Sequence, residues 1–283
     1  MLTAPEIRAL KGQRPLVWMT AYDVIQAQVS EEAGIDVILV GDSLGMTTMG
    51  YDSTIPVTLS DMIHHATMVR RGAPHTMMIV DFPFLTYPDV PTALTNARRI
   101  MQESLANGVK LEGGHDVIPV VDALIKEKVP VIGHLGLTPQ SVHVMGGYKV
   151  QAKTSESIAR LIRDAEELSA HGVTAIVLEG IPDRVARFVT DHIDTPTIGI
   201  GAGPHVDGQV LVFHDCLGLS PHVPKFARPF ADIRNIMIQG LQDYRQAVMD
   251  HSFPHDSETY HITDNAWNHF LQEYQSSEPG SSQ

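Results

Sequence analysis

Cysteine is almost missing from this chain: there is one, Cys216, among 283 residues. A lone thiol closes no intrachain disulfide and excludes a thiolate zinc site. Clusters of Lys or Arg are absent as well, and the formal net charge is −13. So acidic a chain is repelled by a phosphate backbone and by an anionic membrane surface, which argues against nucleic acid and membrane as partners. An anionic ligand must then be held by a metal ion or by a few placed cations. No apolar run approaches the roughly 20 residues that span a bilayer. The N-terminus lacks the basic-then-apolar pattern of a signal peptide, so a cytoplasmic location is the expectation. What is present is core-forming material: 43% hydrophobic and 19% charged residues, the balance of a folded rather than a disordered chain.

Short apolar runs followed by polar clusters and helical periodicity recur along the sequence. The pattern predicts strands near 15–20, 36–41, 76–81, 108–112, 129–133, 173–179, 196–200 and 216–219. Helices are predicted near 23–33, 58–71, 90–106, 116–128, 155–170, 183–192 and 206–213. Alternation of this kind reads as βαβ units and a parallel sheet, because parallel strands need a crossover. Val37–Val40 and Ile176–Leu178 are continuously apolar, as strands covered on both faces should be. Thr58-Leu59-Ser60-Asp61 fits a capping box, and Gly72-Ala73-Pro74 supplies a stop. Eight strands in this length point to an α/β chain of the (β/α)8 TIM-barrel type, with an open doubly wound sheet as the alternative. No Gly/Ser/Pro-rich linker interrupts residues 1–250, which favours one barrel domain there. Residues 251–283 read as a polar extension. Its end, Ser276 to Gln283, is expected to be disordered, while Trp267, Phe270, Leu271 and Tyr274 could form one short docking helix.

The chemistry lies where the strands stop. Val37–Gly41 runs into Asp42 and Ser43, Met77–Val80 into Asp81, Val131–Gly133 into His134 and Ile176–Leu178 into Glu179. In Val109-Lys110-Leu111-Glu112 the period-two alternation puts Lys110 and Glu112 on one face. If Val109 and Leu111 pack on the helices, both polar side chains enter the barrel. The C-terminal strand ends of such a barrel form the active-site floor, so five strands would deliver carboxylates, a lysine and a histidine to one mouth. Each residue taken alone has a plainer explanation. An Asp after a strand is often a helix N-cap, Lys110 and Glu112 could be a solvated ion pair, and a lone His is more often structural. Together these explanations weaken, because several buried like charges repel unless a cation sits among them. All-oxygen ligands without cysteine or paired histidines favour Mg2+. Such an ion suits a 2-oxo acid chelated through carboxylate and keto oxygens, with an enolate stabilised after proton loss at C3. Glu179, at the end of an apolar strand where desolvation strengthens a carboxylate as a base, is the candidate for taking that proton.

Gly199-Ile200-Gly201-Ala202-Gly203 has the wrong spacing and the wrong place for a dinucleotide fingerprint. It reads as tight backbone at the mouth of the seventh strand, with Asp207-Gly208-Gln209 opening the next helix. No P-loop is present.

Longer motifs add a resemblance. Met19–Asp23, Val40–Met46, Asp52–Thr58, Val69–Pro74, Lys110–Gly114, Gly133–Ser141, Gly146–Gln151 and Pro224–Ala227 run in order over roughly residues 3–250. In sequence they resemble the 3-methyl-2-oxobutanoate hydroxymethyltransferase family, the route to pantothenate. The resemblance implies a barrel related to the phosphoenolpyruvate/pyruvate enzymes, Mg2+, and 5,10-methylenetetrahydrofolate as co-substrate. It implies Asp42 and Asp81 as metal ligands, with Glu112 direct or through water, and Ser43 and Lys110 holding the oxo acid beside them. Glu179 would be the base, with His134 in the site, and the assembly a homo-oligomer, often a decamer. Pro204-His205-Val206 departs from the family pattern on the side implied for folate. Two other readings stay open: a barrel lyase using the same metal chemistry without folate, and a barrel that binds a metabolite without catalysis.

Overall fold

The computed structural model describes residues 1–277. It divides into two compact units, the first Met1–Asp232 and the second beginning at Ile233. In the first unit α1 (Ala4–Ala9) precedes β1 (Leu16–Thr20), followed by α2 (Val24–Glu32), β2 (Val37–Val40) and a one-turn α3 (Leu44–Thr47). Next come α4 (Leu59–Gly72), β3 (Met77–Asp81), α5 (Val90–Ser104), β4 (Gly108–Glu112), α6 (Ile118–Lys126) and β5 (Val131–Gly136). The unit continues through α7 (Val142–Met145), α8 (Ser155–Ala170), β6 (Ala175–Glu179), α9 (Asp183–His192), β7 (Thr197–Ile200), β8 (Gly208–Leu211) and α10 (Phe213–Cys216). All neighbouring strands are parallel, and β1 closes on β8, giving an eight-stranded barrel of the expected class.

Local chemistry sets the boundaries. The Thr58 hydroxyl accepts from the Asp61 N–H while the Asp61 carboxylate accepts from the Thr58 N–H, so the predicted capping box starts α4. That helix ends at Gly72, before Pro74, as predicted. The closing strand corrects the sequence reading. A helix was expected near 206–213 and a strand near 216–219; instead Gly208–Leu211 is β8, and the helix α10 follows at Phe213–Cys216. The reason is packing: a Cβ at Gly208 would collide with the Leu16 carbonyl of β1 and with Ile198 of β7. Only glycine lets β8 enter the gap, and Gly208 then pairs with both Leu16 and Ile198.

Two apolar layers follow from strand parity. Leu16, Trp18, Val37, Leu39, Met77, Ile79, Ile132, Ala175, Val177 and Ile198 form the cluster inside the barrel. Ile38, Val40, Met78, Val80, Val109, Leu111, Ile176 and Leu178 face the helices. Reading one residue further along the inner parity reaches Asp81, His134 and Glu179, and Lys110 and Glu112 share that face on β4.

Away from the mouth, Arg14 grips Asp36 with two charge-assisted hydrogen bonds of 2.8 and 2.6 Å, and Asp36 also accepts from the Val17 N–H at 2.9 Å. Partial burial pushes Asp36 upward, but the Arg14 guanidinium and the Val17 N–H outweigh it and hold its pKa below the ordinary 3.8. A depressed folded-state pKa stabilises the fold above the unfolded value, and that stabilisation is lost as pH falls through the folded one. Asp36→Asn is therefore expected to cost about 1 kcal/mol at neutral pH. In urea denaturation the gap from the wild type should close once pH drops below 3.8.

The second unit carries α11 (Ile233–Met249) and α12 (Asp264–Ser277). The helix expected around Trp267 is present, and Trp267, Phe270 and Tyr274 line one of its sides with ring centroids 5.4 and 5.8 Å apart. Ser276 and Ser277, expected to be disordered, instead end α12, and the rest of that terminus, from Glu278, lies outside the described residues.

Candidate active site

Six of the sequence-selected side chains gather at the C-terminal ends of β2 to β6, and all but Glu179 are sealed. Asp42, Asp81, Lys110, Glu112 and His134 are each at most 6% exposed, whereas the Glu179 side chain keeps 17% of its surface open. Glu179, expected at the end of an apolar strand, faces His134, whose Nε2 stands 3.2 Å from Oε2, close enough for charge attraction though not aligned as a hydrogen bond.

Lys110 is the central cation. Its Nζ lies 3.1 Å from Asp81 Oδ2 and 3.3 Å from His134 Nδ1. Burial works against its charge, yet Asp81, Glu112 and Asp42 overcome that and hold its pKa above the ordinary lysine value. Asp42 shows the opposite imbalance. Burial first, then repulsion from Asp81 and Glu112, push its pKa well up, and Lys110 and Gln140 offset only part of this. Asp81 is raised by burial too, with Lys110 pulling the other way. His134 is disfavoured as a cation by burial and by Lys110, but contact with Glu112 and Glu179 wins, and its pKa is pushed up to about 9.

The site thus holds more buried negative charge than its own cations neutralise. Two oxygens, Asp81 Oδ1 and Glu112 Oε1, are buried without a hydrogen-bond partner, and His134 Nδ1 stands 3.5 Å from the latter. Orphaned carboxylate oxygens beside a carboxylate with a raised pKa are what an all-oxygen site for a hard divalent cation offers. Among the described residues no cage of three or more His, Cys, Asp or Glu side chains is ready-formed.

Ser43, selected for substrate, is at the rim, its Oγ 2.8 Å from the Tyr22 hydroxyl. Burial raises the Tyr22 pKa to about 12, so the phenol is neutral in this contact. The backbone aims Glu179 as well: it pairs across the ladder with Gly136, and its carbonyl accepts from the Leu137 N–H at 2.8 Å. Gly136 has φ 95°, and a Cβ there would strike that same carbonyl.

Two residues were missed. Gln140 is 6% exposed and bonded to both Asp42 and Glu112, and Tyr87 bonds Gln140. Gln140 sat inside the Gly133–Ser141 motif without a role, and Tyr87 lies in a loop with no periodicity. Both also line an open cleft of about 290 Å3 that runs from Glu112 past Phe84 and Leu85. Pro204–Val206 falls between β7 and β8, in the short loop after the Gly201–Gly203 turn.

The family described as ketopantoate hydroxymethyltransferase matches residues 1–256. A 3-methyl-2-oxobutanoate hydroxymethyltransferase of Geobacillus sp. (strain WCH70) is 51% identical over 255 residues, covering 89% of this chain and 91% of that protein. One from Koribacter versatilis (strain Ellin345) is 49% identical over 250 residues, covering 88% and 85%. Among solved structures, phosphonopyruvate hydrolase in complex with oxalate and Mg2+ superposes with TM-score 0.60 at 12% identity, over 99% of each chain. A 2,3-dimethylmalate lyase of the PEP mutase/isocitrate lyase superfamily gives TM-score 0.57 at 18% identity, over 96% of this chain and 100% of its own. These two share the fold.

Proposed function

The chain belongs to the ketopantoate hydroxymethyltransferase family, and from that premise we propose that Asp42 and Asp81 hold Mg2+ at the barrel mouth. The family's reaction places a hydroxymethyl group on 3-methyl-2-oxobutanoate in pantothenate biosynthesis, and this chain is a transferase of that kind. The reading of the metal site rests on one observation, the surplus of buried carboxylate around Lys110 with two of its oxygens unpartnered. Glu112 completes the ligand set directly or through water. When bound, the ion polarises the oxo group and so acidifies the C3 hydrogen.

The rest belongs to the chain's own side chains. Lys110 and Ser43 hold the oxo acid, Lys110 by charge and Ser43 by a hydrogen bond. Glu179, the one acidic group in the cluster still open to solvent, takes the C3 proton. His134, 3.2 Å from it, keeps Glu179 oriented and its charge compensated. The electron pair left at C3 forms the new carbon–carbon bond to the methylene carbon of 5,10-methylenetetrahydrofolate as one of that carbon's two C–N bonds breaks. Water then displaces the second nitrogen and supplies the hydroxyl, and tetrahydrofolate leaves with the proton held by Glu179 on one nitrogen and a proton of that water on the other. All of these residues lie between positions 42 and 179, inside the barrel unit.

The test is turnover of 3-methyl-2-oxobutanoate by the purified protein, with and without the folate donor and with Mg2+ present or chelated. Product is expected only when donor and metal are both supplied. Full turnover without a one-carbon donor would point to a lyase, and full turnover in chelator would remove the metal from the reading.

A further inference from the structure

The amide of Gln140 stands between the two sides of the proposed metal position. Its Nε2 donates to Asp42 Oδ2 at 2.8 Å and to the Phe82 carbonyl at 2.8 Å. Its backbone N–H donates to Glu112 Oε2 at 3.1 Å, and its Oε1 lies 3.0 Å from the Tyr87 hydroxyl. The Tyr87 oxygen in turn accepts from the Glu112 N–H at 3.3 Å. Both donors of the amide are thereby used, and its oxygen faces the Tyr87 hydroxyl, whose one proton has that oxygen at 3.0 Å and the Glu112 carbonyl at 3.2 Å as acceptors. An amide turned end for end would put oxygen against the Asp42 carboxylate and the Phe82 carbonyl, so a single orientation survives. One oxygen of each carboxylate is occupied by this residue, Oδ2 of Asp42 and Oε2 of Glu112, which leaves Oδ1 and the orphaned Oε1 as the oxygens free to face a cation.

We propose that Gln140, held in orientation by Tyr87, is a positioning residue that aims Asp42 and Glu112 and so sets the affinity of this protein for a divalent cation. It rests on the metal reading above. Groups that hydrogen-bond to metal ligands commonly set how the ligands point, and removing them weakens binding without removing a ligand. The same loop closes both contacts, since the backbone of Gln140 serves β4 and its side chain serves β2.

Calorimetric titration of Mg2+ into the metal-free wild-type protein, Gln140→Met and Tyr87→Phe tests it. Gln140→Met keeps the volume and removes both donors, and its Mg2+ Kd should rise about 10- to 100-fold. Tyr87→Phe releases the amide without touching either carboxylate side chain, and a smaller rise, roughly threefold or more, is expected on the same ground. In turnover, the Mg2+ concentration at half-maximal rate should move by the same factors, while kcat at saturating Mg2+ changes little. A role confined to structure would lower the urea midpoint in chelator and leave the Mg2+ Kd where it was. Wild-type binding with both variants within twofold of it overturns the inference alone. No Mg2+ binding by the wild type overturns the metal reading and this inference together.

Discussion

Glu179→Gln is expected to lower kcat by about 10²- to 10⁴-fold, the range a positioned general base contributes, while the oxo acid still binds. The substitution is nearly isosteric, and the backbone that aims the side chain, through the Gly136 pairing and the Leu137 N–H, is unaffected by it. What is lost is the ability to take a proton. The partial reaction isolates this: exchange of the C3 hydrogen of 3-methyl-2-oxobutanoate into deuterated water, followed by NMR with no folate added. Exchange should collapse along with turnover. Exchange at the wild-type rate with turnover abolished would move Glu179 from the proton step to the carbon–carbon bond-forming step. Wild-type turnover would remove it from the mechanism.

Replacing Lys110 by Met should have the largest effect on stability. The ammonium is 3.1 Å from Asp81, with both side chains almost completely buried, and it is the cation that Asp42, Asp81 and Glu112 share. Breaking a buried pair by deleting one member leaves the other uncompensated, which costs about 3–5 kcal/mol. The loss should show as a lower urea midpoint at neutral pH in chelator. It should shrink on adding Mg2+, which restores positive charge by binding the folded state. It should also shrink on acidification, because Asp42 and Asp81 already have raised pKa values and take up protons early. A midpoint equal to that of the wild type would mean that the carboxylates draw their counter-charge from elsewhere. Activity should be lost in either case, since Lys110 also holds the substrate in the proposed site.

The site was legible because strand chemistry has a strict period. Val109 and Leu111 had to face the helices, which committed Lys110 and Glu112 to the interior, and the same parity carried Asp81, His134 and Glu179 to the rim. The closing strand was illegible for a related reason. Gly208-Gln209-Val210-Leu211 has one apolar residue facing inward, Val210, and its identity as a strand depends on what lies beside it rather than on its own pattern. Cys216-Leu217-Gly218-Leu219 looks more like a strand in isolation but falls at and beyond the end of α10. The surroundings of Glu179 depend on His134, a neighbour 45 positions away in sequence that only the register of β5 with β6 brings near. Gln140 and Tyr87 were invisible as a pair for the same reason, since their value lies in what each bonds to across the mouth.

The two-layer parity of the barrel also restricts how such a chain can change length. Sliding the whole of β4 by one residue would turn Val109 and Leu111 into the cavity and press Lys110 and Glu112 against the helix layer, losing core and site in a single event. The connections past the strand ends carry no such phase, so insertions there leave every inward residue where it was. Descendants of this sequence can therefore acquire new reach around the mouth by lengthening loops, while the strands tolerate exchange of side chains but not of count.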